Sequence, residues 1–215
     1  MKIFAISGLG ADKRVFKYLT LEYDLIPIEW IKPKTKEPII EYSKRLIKEY
    51  CIGDNEEFGI LGVSFGGLIA TEISKLTQPK FTILISSIES RTELRGIIKI
   101  FGKSKLIELI PEKLLNLPKV IAHYMFGTKN KELLNAILND TDLSFTKWAI
   151  RELLNWKNKS HLQNVIKICG TKDKLLPPKG NNSILIDKGE HFMIVDKAKE
   201  VSAIINRKIK DQINN

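Results

Sequence analysis

The sequence predicts an α/β fold: a trimmed, mostly parallel sheet of about six strands flanked by helices, with a helical insertion. Three observations predict it. Short runs rich in β-branched and aromatic residues alternate with amphipathic helical stretches through residues 1–90 and again through 161–215. Such alternation is the mark of parallel strands joined by covering helices. Residues 91–160 interrupt it with helical periodicity and no convincing strand. Finally, the pentad Gly62-Val63-Ser64-Phe65-Gly66 stands where a strand pattern gives way abruptly to a helical one.

Residues 2–6 form the first strand, which runs into the Gly-rich turn Ser7-Gly8-Leu9-Gly10-Ala11-Asp12. A turn of this kind after an early strand brings backbone N–H groups to a site. Asp12 has the side chain of an N-cap for a helix running through Leu19. Residues 23–28 read as a second strand, and Pro33 and Pro38 bracket a loop. Over 39–50 a helix gathers Ile39, Tyr42, Leu46, Ile47 and Tyr50 on one side, with Lys44, Arg45 and Lys48 on the other. The apolar run 58–63 is a buried strand; 68–76 is a helix with Leu68, Ile69, Ile73 and Leu76 along one face; 80–86 is again a strand.

Within 91–160 the helical patterns are punctuated by Gly102, Pro111, Pro118, Gly127 and Asp140-Thr141-Asp142, and the clearest helices span 131–138 and 145–156. Their apolar residues (among them Leu134, Ile137, Trp148 and Leu153) exceed what a solvent-facing connector needs. The segment is expected to be a cap inserted after one strand and lying over the site. Residues 1–90 and 161–215 would then be the two parts of one core. In the second part, 164–169 and 183–187 are strands and 198–209 a closing helix.

Composition suits one domain with a substantial core: 215 residues, 43% hydrophobic. No run approaches the roughly 18 apolar residues of a membrane span, and the apolar start Met1–Ile6 is too short for a signal peptide. Cys51 and Cys169 stand at no metal-like spacing and are read as free thiols of a reducing compartment, so a cytoplasmic protein is expected. The net charge of +10 is uneven: basic and acidic residues number 12 and 12 in 1–90, 13 and 7 in 91–160, and 10 and 6 in 161–215. The lysines are scattered singly, as on a solvated surface, and no nucleic-acid-binding motif is present. Monomer and homodimer are both open.

The chemistry sits past the strand ends. A strand that turns sharply into a helix holds its corner residue in a strained conformation and leaves little room for a Cβ two positions either side. Ser64 would then stand exposed above the sheet edge, with a helix N-terminus beneath it to favour developing negative charge. Asp173 and His191 likewise follow strands 164–169 and 183–187. With S-G-L-G-A-D at 7–12, G-V-S-F-G-G at 62–67, G-T-K-D at 170–173 and G-E-H-F at 189–192, the sequence resembles the α/β-hydrolase superfamily over nearly its whole length.

The resemblance implies that Ser64 is a nucleophile, His191 a general base and later acid, and Asp173 the carboxylate that orients the imidazole. The backbone N–H groups of Leu9 and Phe65 would form an oxyanion hole. Asp173 is favoured over Glu89, which follows strand 80–86, where some relatives carry the acid. His123 and His161 are read as ordinary histidines and Glu190 as a charged neighbour. Many relatives have His-Gly where this chain has Ser7-Gly8, a change that leaves a backbone donor intact. The implied activity is hydrolysis of an ester or thioester of a small, hydrophobic acyl substrate through an acyl-enzyme, with no metal or organic cofactor. Acyl transfer, C–C bond hydrolysis and plain ligand binding on the same scaffold are the alternatives.

Overall fold

The computed structural model describes residues 1–54, 57–94, 106–179 and 182–213; Gly102 and the rest of 95–105, part of the expected insertion, lie outside the described residues. Strands β1 (Lys2–Ile6), β2 (Asp24–Ile28), β3 (Phe58–Val63), β4 (Phe81–Ile85), β5 (Val165–Gly170) and β6 (Ser183–Ile186) form one sheet in the order β2-β1-β3-β4-β5-β6. Every neighbouring pair is parallel. The expected alternation thus becomes a six-stranded parallel sheet, and its carboxyl ends form one edge.

Strand alternation divides the core in two. Ile3 and Ala5 of β1, Leu61 and Val63 of β3, and Phe81, Ile83 and Ile85 of β4 face one side, where they meet Val201, Ile205 and Ile209 of the closing helix. Phe4, Ile6, Phe58, Ile60 and Leu84 face the other, against Tyr42, Leu46, Leu68, Ile69 and Ile73. Both faces are therefore covered, and the central strands β3 and β4 are buried along their whole length, as their unbroken apolar runs require.

Helices α1 (Ile39–Glu49) and α2 (Phe65–Thr77) cover that second face. Helix α2 starts at Phe65, three residues before the expected Leu68, because Gly66 and Gly67 are helical here despite their low propensity. The helix expected to run from Asp12 through Leu19 is instead a 3-10 segment, Lys13–Tyr18. Asp12 caps it as expected, but its carboxylate binds the N–H of Arg14, only two residues on, and also grips the Arg14 guanidinium.

Helices α3 (Leu106–Leu109), α4 (Lys119–Phe126), α5 (Lys131–Asn139) and α6 (Leu143–Asn155) follow β4 before the chain returns to β5. Buried polar bonds fasten α6 to the sheet's covering helices. The Trp148 indole N–H donates to the Glu37 carbonyl at 2.8 Å, and the Glu152 carboxylate accepts the Ile39 N–H, at the start of α1, at 2.8 Å. Just past α6, the Trp156 indole N–H donates to the Glu72 carboxylate of α2. Each bond satisfies a group whose burial unpaired would be costly. The chain ends with α7 (Met193–Asp196) and α8 (Ala198–Ile213). Among the described residues no helix is long and apolar enough to cross a membrane.

Candidate active site

Ser64 occupies the single position between β3 and α2, at φ 51° and ψ −121°. A side chain held at positive φ costs on the order of 1–3 kcal/mol and persists only where its surroundings over-determine it. Here they do: the Ser64 N–H donates to the Ile85 carbonyl (3.0 Å), and the Ser64 carbonyl accepts the Gly67 N–H (2.9 Å) and the Ser87 hydroxyl (2.6 Å). The flanking glycines are needed for clearance. A Cβ on Gly62 would lie 2.5 Å from Gly67 Cα, and one on Gly66 would lie 2.1 Å from the Ser7 carbonyl oxygen.

His191 reaches Ser64 from the loop after β6. That loop is laced to the one after β5: the Thr171 N–H donates to Ile186, and the Lys172 N–H to Gly189, at 3.0 and 2.9 Å. The two loops therefore hold Asp173 and His191 together. Imidazole Nδ1 lies 2.8 and 3.0 Å from the two Asp173 carboxylate oxygens, and Nε2 lies 2.8 Å from Ser64 Oγ. With the carboxylate ionised, Nδ1 carries the proton and donates, which leaves Nε2 as an acceptor for the serine hydroxyl.

Asp173 and His191 are both buried, at 3% and 4% exposure. Burial pushes the Asp173 carboxyl up. The hydrogen bond and charge of His191, with the N–H groups of Leu176 and Leu175 on the same carboxylate, outweigh it and hold the group below the ordinary aspartate value. Asp173 is thus ionised where His191 needs an acceptor.

Ser64 and His191 open into a cavity of about 230 Å³ whose other walls are almost wholly carbon, including Val15, Leu68, Met125, Phe126, Ala149 and Leu153. Gly8, Leu9 and Phe65 line the same cavity. Phe65 is the first residue of α2, so its N–H has no acceptor within the helix. The Leu9 N–H sits inside a tight turn closed by the Ala11 N–H on the Gly8 carbonyl. A larger groove of about 620 Å³, bordered by charged side chains such as Arg14, Glu29 and Asp142, shares only Ala11 with this cavity and carries neither Ser64 nor His191.

Ser64, Asp173, His191, Leu9 and Phe65 are therefore all brought to one place. Glu89 is not: its carboxylate accepts from His161 Nδ1 (3.1 Å) and the Leu162 N–H. His123 pairs with Asn135 at 2.9 Å, and Glu190 with Lys174. Two residues that sequence reasoning did not single out belong to the site. Ser87, just past β4, carries the hydroxyl on the Ser64 carbonyl; a small polar residue past a central strand was its one signal. Phe126 stands edge-on to the His191 ring, and only tertiary packing reveals it.

No protein-family model and no curated protein sequence matches the chain. Solved structures do. An esterase from Thermogutta terrifontis superposes with a TM-score of 0.75 at 13% identity, over 99% of this chain and 90% of that one. For a carboxylesterase of Nitrososphaera gargenis the TM-score is 0.67 at 12% identity, over 99% and 91%. A thioesterase of the prodiginine pathway in Streptomyces coelicolor gives 0.67 at 12%, over 97% and 90%. The fold is the α/β-hydrolase fold. In this fold the turn after β1 carries Ser7, and Ser7 has its own task. Its buried hydroxyl donates to the Ala11 carbonyl at 2.8 Å, alongside the Trp30 indole N–H at 3.0 Å, and so braces the turn that presents Leu9.

Proposed function

We propose that the protein is a serine hydrolase that cleaves a carboxylic ester or thioester through an acyl-enzyme on Ser64. The observation that carries the reading is the hydrogen-bonded chain from Ser64 Oγ through both nitrogens of His191 to Asp173, opening into an apolar cavity. Ser64 attacks the acyl carbonyl while His191 Nε2 takes its proton; the same proton then goes to the leaving alcohol or thiol. Asp173 keeps the ring in the tautomer that accepts at Nε2 and offsets the charge it gains. The Leu9 and Phe65 N–H groups receive the oxyanion. Water, activated by His191, releases the acid and restores Ser64.

The cavity supports a hydrophobic acyl group of modest size. A dry cavity of about 150 Å³ suffices for benzene, and the 230 Å³ here leaves room for a somewhat larger chain. We read residues 91–160 as a cap, because Leu117, Met125, Phe126, Ala149 and Leu153 of that segment wall the cavity over the core's Ser64 and His191. Esterase, carboxylesterase and thioesterase, the activities of the structural neighbours, belong to the same chemistry. The free thiols Cys51 and Cys169, the former exposed, suit a reducing cytoplasm.

The test is intact mass after incubation with a fluorophosphonate. One adduct is expected on the wild type, none on Ser64→Ala, and a greatly slowed one on His191→Ala. A folded wild type that stays unlabelled, and that hydrolyses no ester or thioester of a chain-length series, removes the reading.

A further inference from the structure

Among the described residues eleven large apolar side chains are exposed, and six of them fall between positions 109 and 124: Leu109, Leu114, Leu117, Val120, Ile121 and Tyr124. Leu109, Leu114 and Val120 are 79%, 72% and 80% exposed, values ordinary for lysine and not for a leucine or valine. Helix α4 is apolar on both sides. Its Ala122 is fully buried and its Met125 and Phe126 line the cavity, while Val120, Ile121 and Tyr124 face outward. Exposed apolar side chains concentrated in one stretch of chain mark a surface built to meet a partner.

Two further observations identify the partner. The apolar face is continuous with the candidate active site, because Leu117 is at once 46% exposed and part of the cavity wall. Basic side chains also outnumber acidic ones beside it. Lys113 and Lys119 are exposed within it, and a groove of about 430 Å³ beside α3 is bordered by Lys32, Lys34, Lys36, Lys147 and Arg151 against only Glu108 and Glu112. Residues 91–160 as a whole hold 13 basic and 7 acidic residues. Exposed apolar side chains beside a basic groove match a negatively charged bilayer, with headgroups for the lysines and acyl chains for the apolar residues. A second copy of this chain fits poorly, because pairing the two faces would bring two basic grooves together.

We propose that the face built from α3, α4 and the turns between them docks the protein on an anionic lipid surface. An acyl chain then passes along Leu117 into the cavity. The second step rests on the hydrolase reading above; the docking does not.

Co-sedimentation with vesicles tests the docking directly. Wild type should pellet with phosphatidylcholine vesicles containing phosphatidylglycerol and stay in solution with phosphatidylcholine alone, and added salt should weaken the binding. Leu114→Ser with Val120→Ser should lower vesicle affinity by about tenfold or more, since burial of apolar side chains drives interfacial binding. Neither side chain lines the cavity, so the rate on a short water-soluble ester should be unchanged. Lys34→Glu with Lys36→Glu should weaken binding to the anionic vesicles. Ser64→Ala should bind vesicles like wild type, which keeps a failure of the hydrolase reading distinct from a failure of the docking. Equal binding to both vesicle types, no binding by the wild type, or undiminished binding by the apolar double variant each overturns the proposal. So does a wild-type dimer in sedimentation that ignores vesicles and that Leu114→Ser with Val120→Ser dissociates.

Discussion

The Phe126 ring meets the His191 imidazole edge-on, with 5.6 Å between centroids and 63° between planes. The same residue's carbonyl accepts the N–H of Phe192 at 3.1 Å. One residue at the end of α4 thus holds the imidazole by packing and its neighbour's backbone by a hydrogen bond. Close by, the Glu190 carboxylate packs against Gly127 and pairs with Lys174, whose ammonium lies 5.0 Å from the centre of the Tyr124 ring.

Phe126→Ala should therefore act on the chemistry through His191. The variant keeps the backbone bond to Phe192 and loses the wall against the imidazole. Misplacement of a reacting group by about 1 Å can cost about 10²-fold in rate. We expect kcat to fall by up to about that factor, and fluorophosphonate labelling of Ser64 to slow in parallel. Unchanged labelling with a raised KM would assign Phe126 to substrate binding alone.

How much of this was legible in the sequence follows from which distances decide it. The strand–helix alternation is local, so the sheet and its site-bearing edge could be read from residue patterns. Ser64, Asp173 and His191 each follow a strand, and in a parallel sheet all carboxyl ends share one edge. What could not be read depends on packing across the chain. Glu72 and Glu152 look like ordinary surface charges on helices, yet both are buried and bind Trp156 and Ile39. Lys167 sits inside a strand pattern and is 5% exposed, paired with Glu93. The 3-10 turn after Asp12 was missed because propensity cannot foresee a carboxylate captured by Arg14.

Asp173→Asn should separate orientation from folding. An asparagine can present its amide to Nδ1 and favour the wrong tautomer, at a cost of about 10⁴ in kcat. Stability should respond to pH as well. The native Asp173 carboxyl lies below its ordinary 3.8, so it binds a proton more weakly than in the unfolded chain. The stability it contributes is complete above that value and is lost as pH falls through the lower native value. Melting temperatures of wild type and variant should thus differ at neutral pH and converge as the pH falls below about 4. A constant difference from neutral pH downward would remove the ionised Asp173 from the account.

Gly66→Ala tests the clearance behind the serine corner. Its Cβ would lie 2.1 Å from the Ser7 carbonyl oxygen and 2.5 Å from that of Ile6, both of them backbone atoms that cannot swing aside. Overpacking of this kind typically costs about 1–3 kcal/mol, and sometimes more. Urea unfolding should show a loss at or above the top of that range, and the fraction that folds should lose most of its activity, because β1 and its turn would have to move relative to Ser64. A variant as stable and as active as wild type would mean that the corner is looser than the contacts describe.

Ala149→Leu tests whether the cavity measures the acyl chain. Ala149 is fully buried on α6 and lines the cavity that holds Ser64 and His191. A leucine there would project three more carbons into a space of about 230 Å³. Discrimination in an apolar pocket runs at about 10- to 200-fold per methylene gained or lost. The variant should keep its kcat/KM on acetyl esters and lose about tenfold or more on the longest chains the wild type accepts, so that the optimum moves to shorter acyl groups. The measurement is kcat/KM over a series of p-nitrophenyl esters of increasing length. A parallel fall at every length would instead indicate that the leucine has displaced α6, and a circular-dichroism melt of the same sample would show whether the helix has lost its hold on Glu37 and Ile39.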